Sequence, residues 1–366
     1  MTDEPTQPAA ARLREVALVF LKLGCTAFGG PAAHVALQEE ECVRRRRWLD
    51  RERFLDLLAA TNLIPGPNST EMAIHLGRMR AGWAGLVVGG LAFILPSAVL
   101  VTALAWAYTV WGAVPEATAM LAALRPAVLV VILDALYGFG RSAIRGPSTL
   151  VAALVAVTLA LGGASEVALV FAALGIGLGV ARIAPGRLHA VPLGELFLVC
   201  TKIGATLFGS GYVLIAYLRS EIVGRGWLDD RRLLDAVAIG QITPGPVSTA
   251  ATFVGYLVAG LPGATVATLG MFLPSFVFVA ATGPLVERWR AHPTARAALD
   301  LVNAVVVGLI AAVVVRLAPA ALATPFAIAV AGAAAAARWG LGIGGTTVMA
   351  AAAAAGLLRA ALAPTP

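Results

Sequence analysis

Two short segments carry the residue types best suited to hold an anion in an apolar chain: Pro65-Gly66-Pro67-Asn68-Ser69-Thr70 and Pro244-Gly245-Pro246-Val247-Ser248-Thr249. Proline and glycine stop one helix, and the serine or threonine that follows is expected to cap the next. A helix start offers unpaired N–H groups and the positive end of the dipole, which together bind phosphate-like ions. Because the pattern occurs twice, the two helix starts are expected to face one another and cradle one tetrahedral oxyanion. The plainer reading of either copy alone is a well-capped kink.

Lys22 and Lys202 stand at matching places in FLKLGCTAFGG (20–30) and CTKIGATLFGS (200–210). An ammonium inside a span costs about 2.5–3.5 kcal/mol on insertion scales, so compensation is expected. Either each lysine attracts the anion, or it snorkels to the interface. Thr26 and Thr206 follow four residues on, and Gly29, Gly30 and Gly209 mark a second break in each copy. Glycine there serves close approach to a ligand or close helix packing.

Proton coupling needs a titratable group near the cavity. Glu71 and His75 lie four apart on one helix face and have no counterparts, since Ala250 and Val254 hold those places. Asp56 and Asp235 do recur, ahead of each proline break, as further proton-coupling candidates or as ion-pair partners of arginines such as Arg53 and Arg232. Asp134 is a lone acid in a span, with Arg125 or Arg141 as its expected partner. Pro96 and Pro274, each in a Leu-Pro-Ser sequence, are kink or hinge positions. Cys25, Cys42 and Cys200 show no metal or disulfide spacing, and no cofactor motif occurs.

These groups must be positioned by helices in a bilayer. The 366 residues are 59% hydrophobic and 13% charged, with a mean hydropathy of +0.86, against about 25% charged in soluble domains. The fold class is therefore an all-α polytopic membrane protein. Residues 1–15 lack a basic region followed by a cleavage site, so no signal peptide is expected to be removed. The net charge of +7 comes from arginines flanking apolar runs, which favours contact with membrane lipids over nucleic acid.

The chain is duplicated. Beyond the lysine segments, WLDRERFLD (48–56) returns as WLDDRRLLD (227–235), GWAG (82–85) as GLPG (260–263) and ILPS (94–97) as FLPS (272–275). The domains read as a tail at 1–12, a first repeat at 13–190 and a second at 191–366. Spans are expected at Val16–Phe28, Leu86–Trp111, Ala117–Phe139, Leu150–Leu161 and Val167–Ile183, then at Leu196–Phe208, Thr265–Thr282, Ala297–Val315, Phe326–Ala337 and Thr346–Leu362. Phe54–Leu63 and Thr70–Met79 are too short to cross and form a re-entrant broken hairpin in the expected layout. Five crossings per half would make the halves inverted repeats, a design common among secondary transporters. Residues 43–53 carry a net charge of +4 and 223–232 of +1, which places the first loop in the cytoplasm.

TAFGGPAAHVA (26–36), RRRRWLDRERFLDLLAATNLIPGPNST (44–70) and GWAGLVVGGLAFILPS (82–97) resemble the signature segments of the chromate ion transporter family in its two-domain form. The resemblance implies a multi-pass bacterial inner-membrane protein that expels chromate using the proton-motive force, with sulfate as a related substrate and protons as coupling ion. The chain departs from internal symmetry at His34, whose counterpart is Leu214. No HExxH, DDxxD, GxSxG or Walker pattern suggests an enzyme or an ATP-driven pump. A passive oxyanion channel is the alternative, and a homodimer is an assembly the sequence leaves open.

Overall fold

The structure, a computed structural model, describes residues 8–28, 31–61, 64–173, 191–208, 213–282 and 293–362. Those residues are helical, with no strand among them. The first half runs α1 (Ala9–Thr26), α2 (Pro31–Glu39), a π-helical turn (Glu40–Arg45), α3 (Arg51–Thr61), α4 (Asn68–Trp111), α5 (Pro115–Ala143), α6 (Pro147–Leu161) and α7 (Glu166–Ala173). The second half repeats this order with α8 (Leu193–Thr206), α9 (Val213–Leu218), a π-helical turn (Arg219–Val223), α10 (Asp230–Ile242), a 3₁₀ turn (Val247–Thr249), α11 (Ala250–Thr282), α12 (Pro293–Ala321), α13 (Pro325–Ala335) and α14 (Gly345–Leu362).

The duplication extends to the register of the buried faces. Val16, Val19, Phe20 and Leu23 form the buried stripe of α1, at the spacing of one helix face. Leu196, Val199, Cys200 and Ile203, each 180 residues on, do the same in α8. Gly24 lets α1 approach the backbone of α4 at Ala92 and Phe93, and Gly204 lets α8 approach Met271. Of the cysteines, Cys42 and Cys200 are buried and Cys25 is exposed, all as free thiols.

Among the described residues five helices are long and apolar enough to cross a membrane: Asn68–Trp111, Pro115–Ala143, Val247–Thr282, Asp300–Ala321 and Gly345–Leu362, with Pro147–Leu161 shorter. Large apolar side chains such as Val99, Trp106, Val151 and Leu154 remain exposed on these helices, as expected where the solvent is lipid. Only residues up to Ala173 of the expected span Val167–Ile183 are described.

Length alone misreads α4 and α11. Both contain one non-helical step, at Ala81 (φ −135°, ψ 23°) and Gly82 (φ 66°, ψ −149°) in α4, and at Ala259 (φ −145°, ψ 27°) and Gly260 (φ 61°, ψ −151°) in α11. That glycine conformation is nearly closed to residues bearing a Cβ. After it the helix folds back on itself: Gly77 packs on Gly85 and Gly89, and Gly255 on Gly263 and Ala267. Thr252 and Thr268 bridge the second hairpin with hydroxyls 2.8 Å apart. The expected short piece Thr70–Met79 is thus the first arm of a hairpin with residues 83–111, and the proline break separates it from α3. The sequence signal was present in GWAG and GLPG, whose glycines supply both the turn and the close packing.

The halves are interleaved beyond these hairpins. α5 packs against α14, where Gly356 meets the Ala119 carbonyl, and α6 packs against α12, where Gly308 meets that of Ala153. Gly77→Ala and Gly255→Ala each place a methyl on an opposing backbone and are expected to cost about 2–3 kcal/mol or more. Gly138→Ala, in a helix with open space around it, is expected to stabilise by about 0.5 kcal/mol or more. Thermal unfolding in detergent checks the contrast, and equal effects at the three sites would contradict the hairpin packing.

Candidate functional site

Each Pro-Gly-Pro segment contains a single backbone N–H, because proline has none. Both of these lone donors are satisfied by the opposite half. The Gly66 N–H donates to the Leu207 carbonyl at 2.6 Å, and the Gly245 N–H donates to the Ala27 carbonyl at 2.9 Å. Ala27 and Leu207 are equivalent positions, extended residues at the ends of α1 and α8. Gly66 and Gly245 have φ of 147° and 94°, and a Cβ on Gly245 would strike Ser97, while one on Gly66 would strike Glu71 and Ser275. Ser97 and Ser275 are the serines of the two Leu-Pro-Ser sequences, so each proline break of one half inserts against the other half's kinked helix.

The helix starts are buried: Ser69, Thr70, Ser248 and Thr249 are all among the least accessible polar residues. Their caps differ from the expected ones. Pro67 and Pro246 occupy the cap positions, with no side-chain cap bond. The serines and threonines sit inside the first turn, because a third residue is needed to leave the Pro-Gly-Pro bend. Thr249 Oγ1 instead donates to the Pro246 carbonyl at 2.8 Å and lies 2.9 Å from Ser97 Oγ. Ser69 is held from α2, its Oγ 3.4 Å from His34 Nδ1 and its carbonyl accepting from Gln38 Nε2 at 2.9 Å. Pro65 and Pro244 close α3 and α10 on the other side of each bend, and Asn68 opens α4.

Lys22 and Lys202 are not bare charges. Lys22 Nζ lies 2.5 Å from Glu41 Oε1, and Lys202 Nζ lies 2.6 Å from Glu221 Oε1. Glu41 and Glu221 are themselves 180 residues apart and sit in the π-helical turns after α2 and α9. The hydrogen bond from Lys22 holds the Glu41 carboxyl below its usual range, against the opposing effect of burial. The lysine side chains are 53% and 32% exposed. Thr26 and Thr206 hydroxyls each donate to the lysine carbonyl four residues back, at 2.7 Å. Gly29, Gly30 and Gly209 lie outside the described residues.

The acids have separated into different environments. Glu71 and His75 are buried on the first arm of α4; Glu71 meets the Ser275 hydroxyl and no positive charge among the described residues, and His75 Nε2 lacks a hydrogen-bond partner. Asp235 is fully buried, and its partner is Arg125 of α5 rather than the expected Arg232: Nε–Oδ1 is 2.7 Å and Nη2–Oδ2 is 2.9 Å, with the Tyr108 hydroxyl donating to Oδ2 at 2.9 Å. Arg232 is exposed and pairs loosely with Asp229. Asp56 lies on α3, the counterpart of α10. Asp134 pairs with Arg338, at 2.8 Å, and with the Trp339 indole N–H, not with Arg125 or Arg141. In the arginine run, Arg44, Arg45 and Arg46 pair with Glu39, Glu40, Glu41 and Glu15.

Ser97, Ser275, Gln38 and Tyr108 were not singled out as site residues from sequence, and Asp235 was, but without Arg125 as its partner. Recurrence of Leu-Pro-Ser at 94–97 and 272–275 was the available signal for the serines, and the 180-residue offset from Glu41 to Glu221 was the signal for the lysine partners. No local pattern links Arg125 to Asp235.

The family model described as "Chromate transporter" matches residues 14–180 and 194–357. The chain is 33% identical to the chromate transport protein of Cupriavidus metallidurans, covering 84% of this chain and 82% of that protein. It is 34% identical to the chromate transport protein of Pseudomonas aeruginosa, over 82% and 79%. An uncharacterized transporter of Methanocaldococcus jannaschii is 28% identical over 82% and 83%. No solved structure matches the chain.

Asp235→Asn leaves Arg125 buried without a counter-charge and is expected to cost about 3 kcal/mol. The neutral double variant with Arg125→Gln is expected to recover much of that loss. Lys22→Gln, breaking an exposed pair, is expected to cost under about 1 kcal/mol. Denaturation midpoints of the purified variants check the order, and an unaffected Asp235→Asn would contradict the buried pair.

Proposed function

The chain belongs to the chromate transporter family, and from that premise we propose that it carries chromate, or the isosteric dianion sulfate, outward across the bacterial inner membrane as a secondary active transporter. The observation that supports this reading best is the reciprocal insertion of the two proline breaks, each into the opposite half. It brings the Ser69-Thr70 helix start next to the second half and the Ser248-Thr249 start next to the first. In the proposed mechanism the dianion replaces part of its hydration shell with amide N–H groups and hydroxyls of these starts, at the positive ends of the helix dipoles.

Pro65, Gly66, Pro67, Asn68, Pro244, Gly245 and Pro246 shape the proposed cradle. Thr26, Gly29, Gly30, Thr206 and Gly209 form its rim at the second breaks. Lys22 and Lys202, exposed and tied to glutamates, draw the anion toward the rim. The proposed driving force is largely electrical. A membrane potential negative inside contributes about 2.3 kcal/mol per charge per 100 mV, so a departing dianion gains about twice that. Protons are the proposed coupling ion, with Glu71, His75, Asp56 and Asp235 as candidate carriers. Inverted orientation of the two halves is part of the same proposal, supported by the greater positive charge of residues 43–53 than of 223–232. Export of this kind would confer chromate resistance.

The rival reading, a passive oxyanion channel, separates from this one in proteoliposomes. The carrier reading expects chromate to accumulate against its gradient when a potential is imposed, at turnover slow enough to saturate, with sulfate competing. Strictly downhill, non-saturating flow supports the channel. Ser69→Ala with Thr70→Ala is expected to lower chromate flux at least about tenfold at normal protein level, from loss of two hydroxyl donors worth about 1 kcal/mol or more each. Unchanged flux would remove the first helix start from the cradle.

A further inference from the structure

The two halves share the crossing hydrogen bonds of the proline breaks, and one difference beside them is informative. In the second half Thr249 and Ser97 hydroxyls join at 2.9 Å, and the next residue on the helix is Ala250. Their counterparts in the first half are Thr70, Ser275 and Glu71. Here Thr70 and Ser275 form no hydroxyl pair, and the Glu71 carboxylate meets the neutral hydroxyl of Ser275 and no positive charge among the described residues. All three residues are completely buried. The Glu71 carboxylate and the Ser275 hydroxyl converge on Gly66, where a Cβ would overlap both. His75 Nε2, one turn further along, is also without a partner.

A carboxylate sealed from water needs a positive charge beside it. Several of the cations and acids on the elements packed against α4 are engaged elsewhere. Lys22 of α1 holds Glu41, and Glu15 holds Arg46 and Arg80. Asp235 of α10 holds Arg125. Arg78 of α4 donates to the Val279 and Ala280 carbonyls of α11, and His34 of α2 faces Ser69. Asp56 of α3 adds a further acid and no positive charge. The orphaned atoms nearest Glu71 are oxygens, the donor type that suits a proton or a hard monovalent cation.

We infer that Glu71 and Ser275, which converge on Gly66, form a binding site for one monovalent cation, a proton or sodium ion, and that of the two proline breaks only the first carries such a site. The site rests on the transporter reading only for its role: its occupant would be the coupling ion. The charge on Glu71 lies beside the neighbouring helix start, so occupancy of this site by the cation and of the cradle by the oxyanion are coupled. The second-half counterpart, closed by its own hydroxyl pair and lacking an acid, does not bind a cation. The duplicated transporter thereby divides its labour between its halves.

The test begins with binding alone. Purified protein is melted across pH in choline chloride, and across sodium concentration at fixed pH. A hundredfold increase in the cation that fits is expected to raise the wild-type melting temperature by about 5 °C. Dependence on pH alone identifies the proton, and dependence on sodium identifies that ion. Glu71→Gln is expected to abolish the response while remaining folded, and Ser275→Ala to weaken it about tenfold in apparent affinity. Thr249→Val is expected to leave it intact. A wild type indifferent to both cations, or a Glu71→Gln variant that responds as wild type does, overturns the site. Chromate exchange in vesicles without any cation gradient is then measured separately. Its absence in the wild type contradicts the transport reading, while the melting data decide the cation site.

Discussion

A peptide N–H in hydrocarbon must find an acceptor or cost several kcal/mol, and Pro-Gly-Pro reduces that problem to one donor. In this chain both such donors are satisfied across the duplication, Gly66 by Leu207 and Gly245 by Ala27. Each break is therefore stable only when the other half is present. The break also cannot be built with other residues at its centre, because a Cβ on either glycine would overlap the opposing serine. From this crossing follow the placement of the helix starts, the fit of Ser97 and Ser275, and the burial of Glu71. The Ala81-Gly82 and Ala259-Gly260 turns keep the first arms of α4 and α11 folded against the helices that carry those serines.

The charges are distributed in two layers. Toward the ends of α1 and α8, lysines, arginines and glutamates form exposed pairs that recur in both halves, including Lys22–Glu41 and Lys202–Glu221. Such pairs contribute little to stability. Inside, the charged residues are few and asymmetric. Arg125 and Asp235 neutralise each other between α5 and α10, whereas no ion pair reaches Glu71 among the described residues. A symmetric backbone thus carries an asymmetric set of ionisable groups, as the proposed coupling of two ions would require.

Much of this architecture was legible in the sequence. Recurrence of Lys-x-Gly, Pro-Gly-Pro and Leu-Pro-Ser in fixed order gave the duplicated helical membrane fold, and the family follows from the same segments. The proline breaks were visible because proline and glycine act locally. What stayed hidden depends on contacts distant in the chain. Asp235 meets an arginine 110 residues before it, and Asp134 meets one more than 200 residues after it; nearby arginines looked equally suitable. The caps were misplaced by one to three residues because the prolines themselves take the cap positions. The break between Thr70–Met79 and Leu86–Trp111 was legible, but the pairing of these two pieces in one hairpin was not, because hydropathy does not show which neighbour a short helix folds against. The anion-contacting roles of individual residues are not fixed by local pattern at all, since they depend on which donors both halves bring to one point.

The most direct measurement is a structure of the protein with an oxyanion bearing a heavy, anomalously scattering centre, such as chromate or selenate, at concentrations that saturate flux. The account predicts a single tetrahedral density between the two proline breaks, within hydrogen-bonding distance of amides or hydroxyls of residues 68–70 or 247–249. Density confined to the arginines at 44–47, with the breaks still closed on each other, would contradict it.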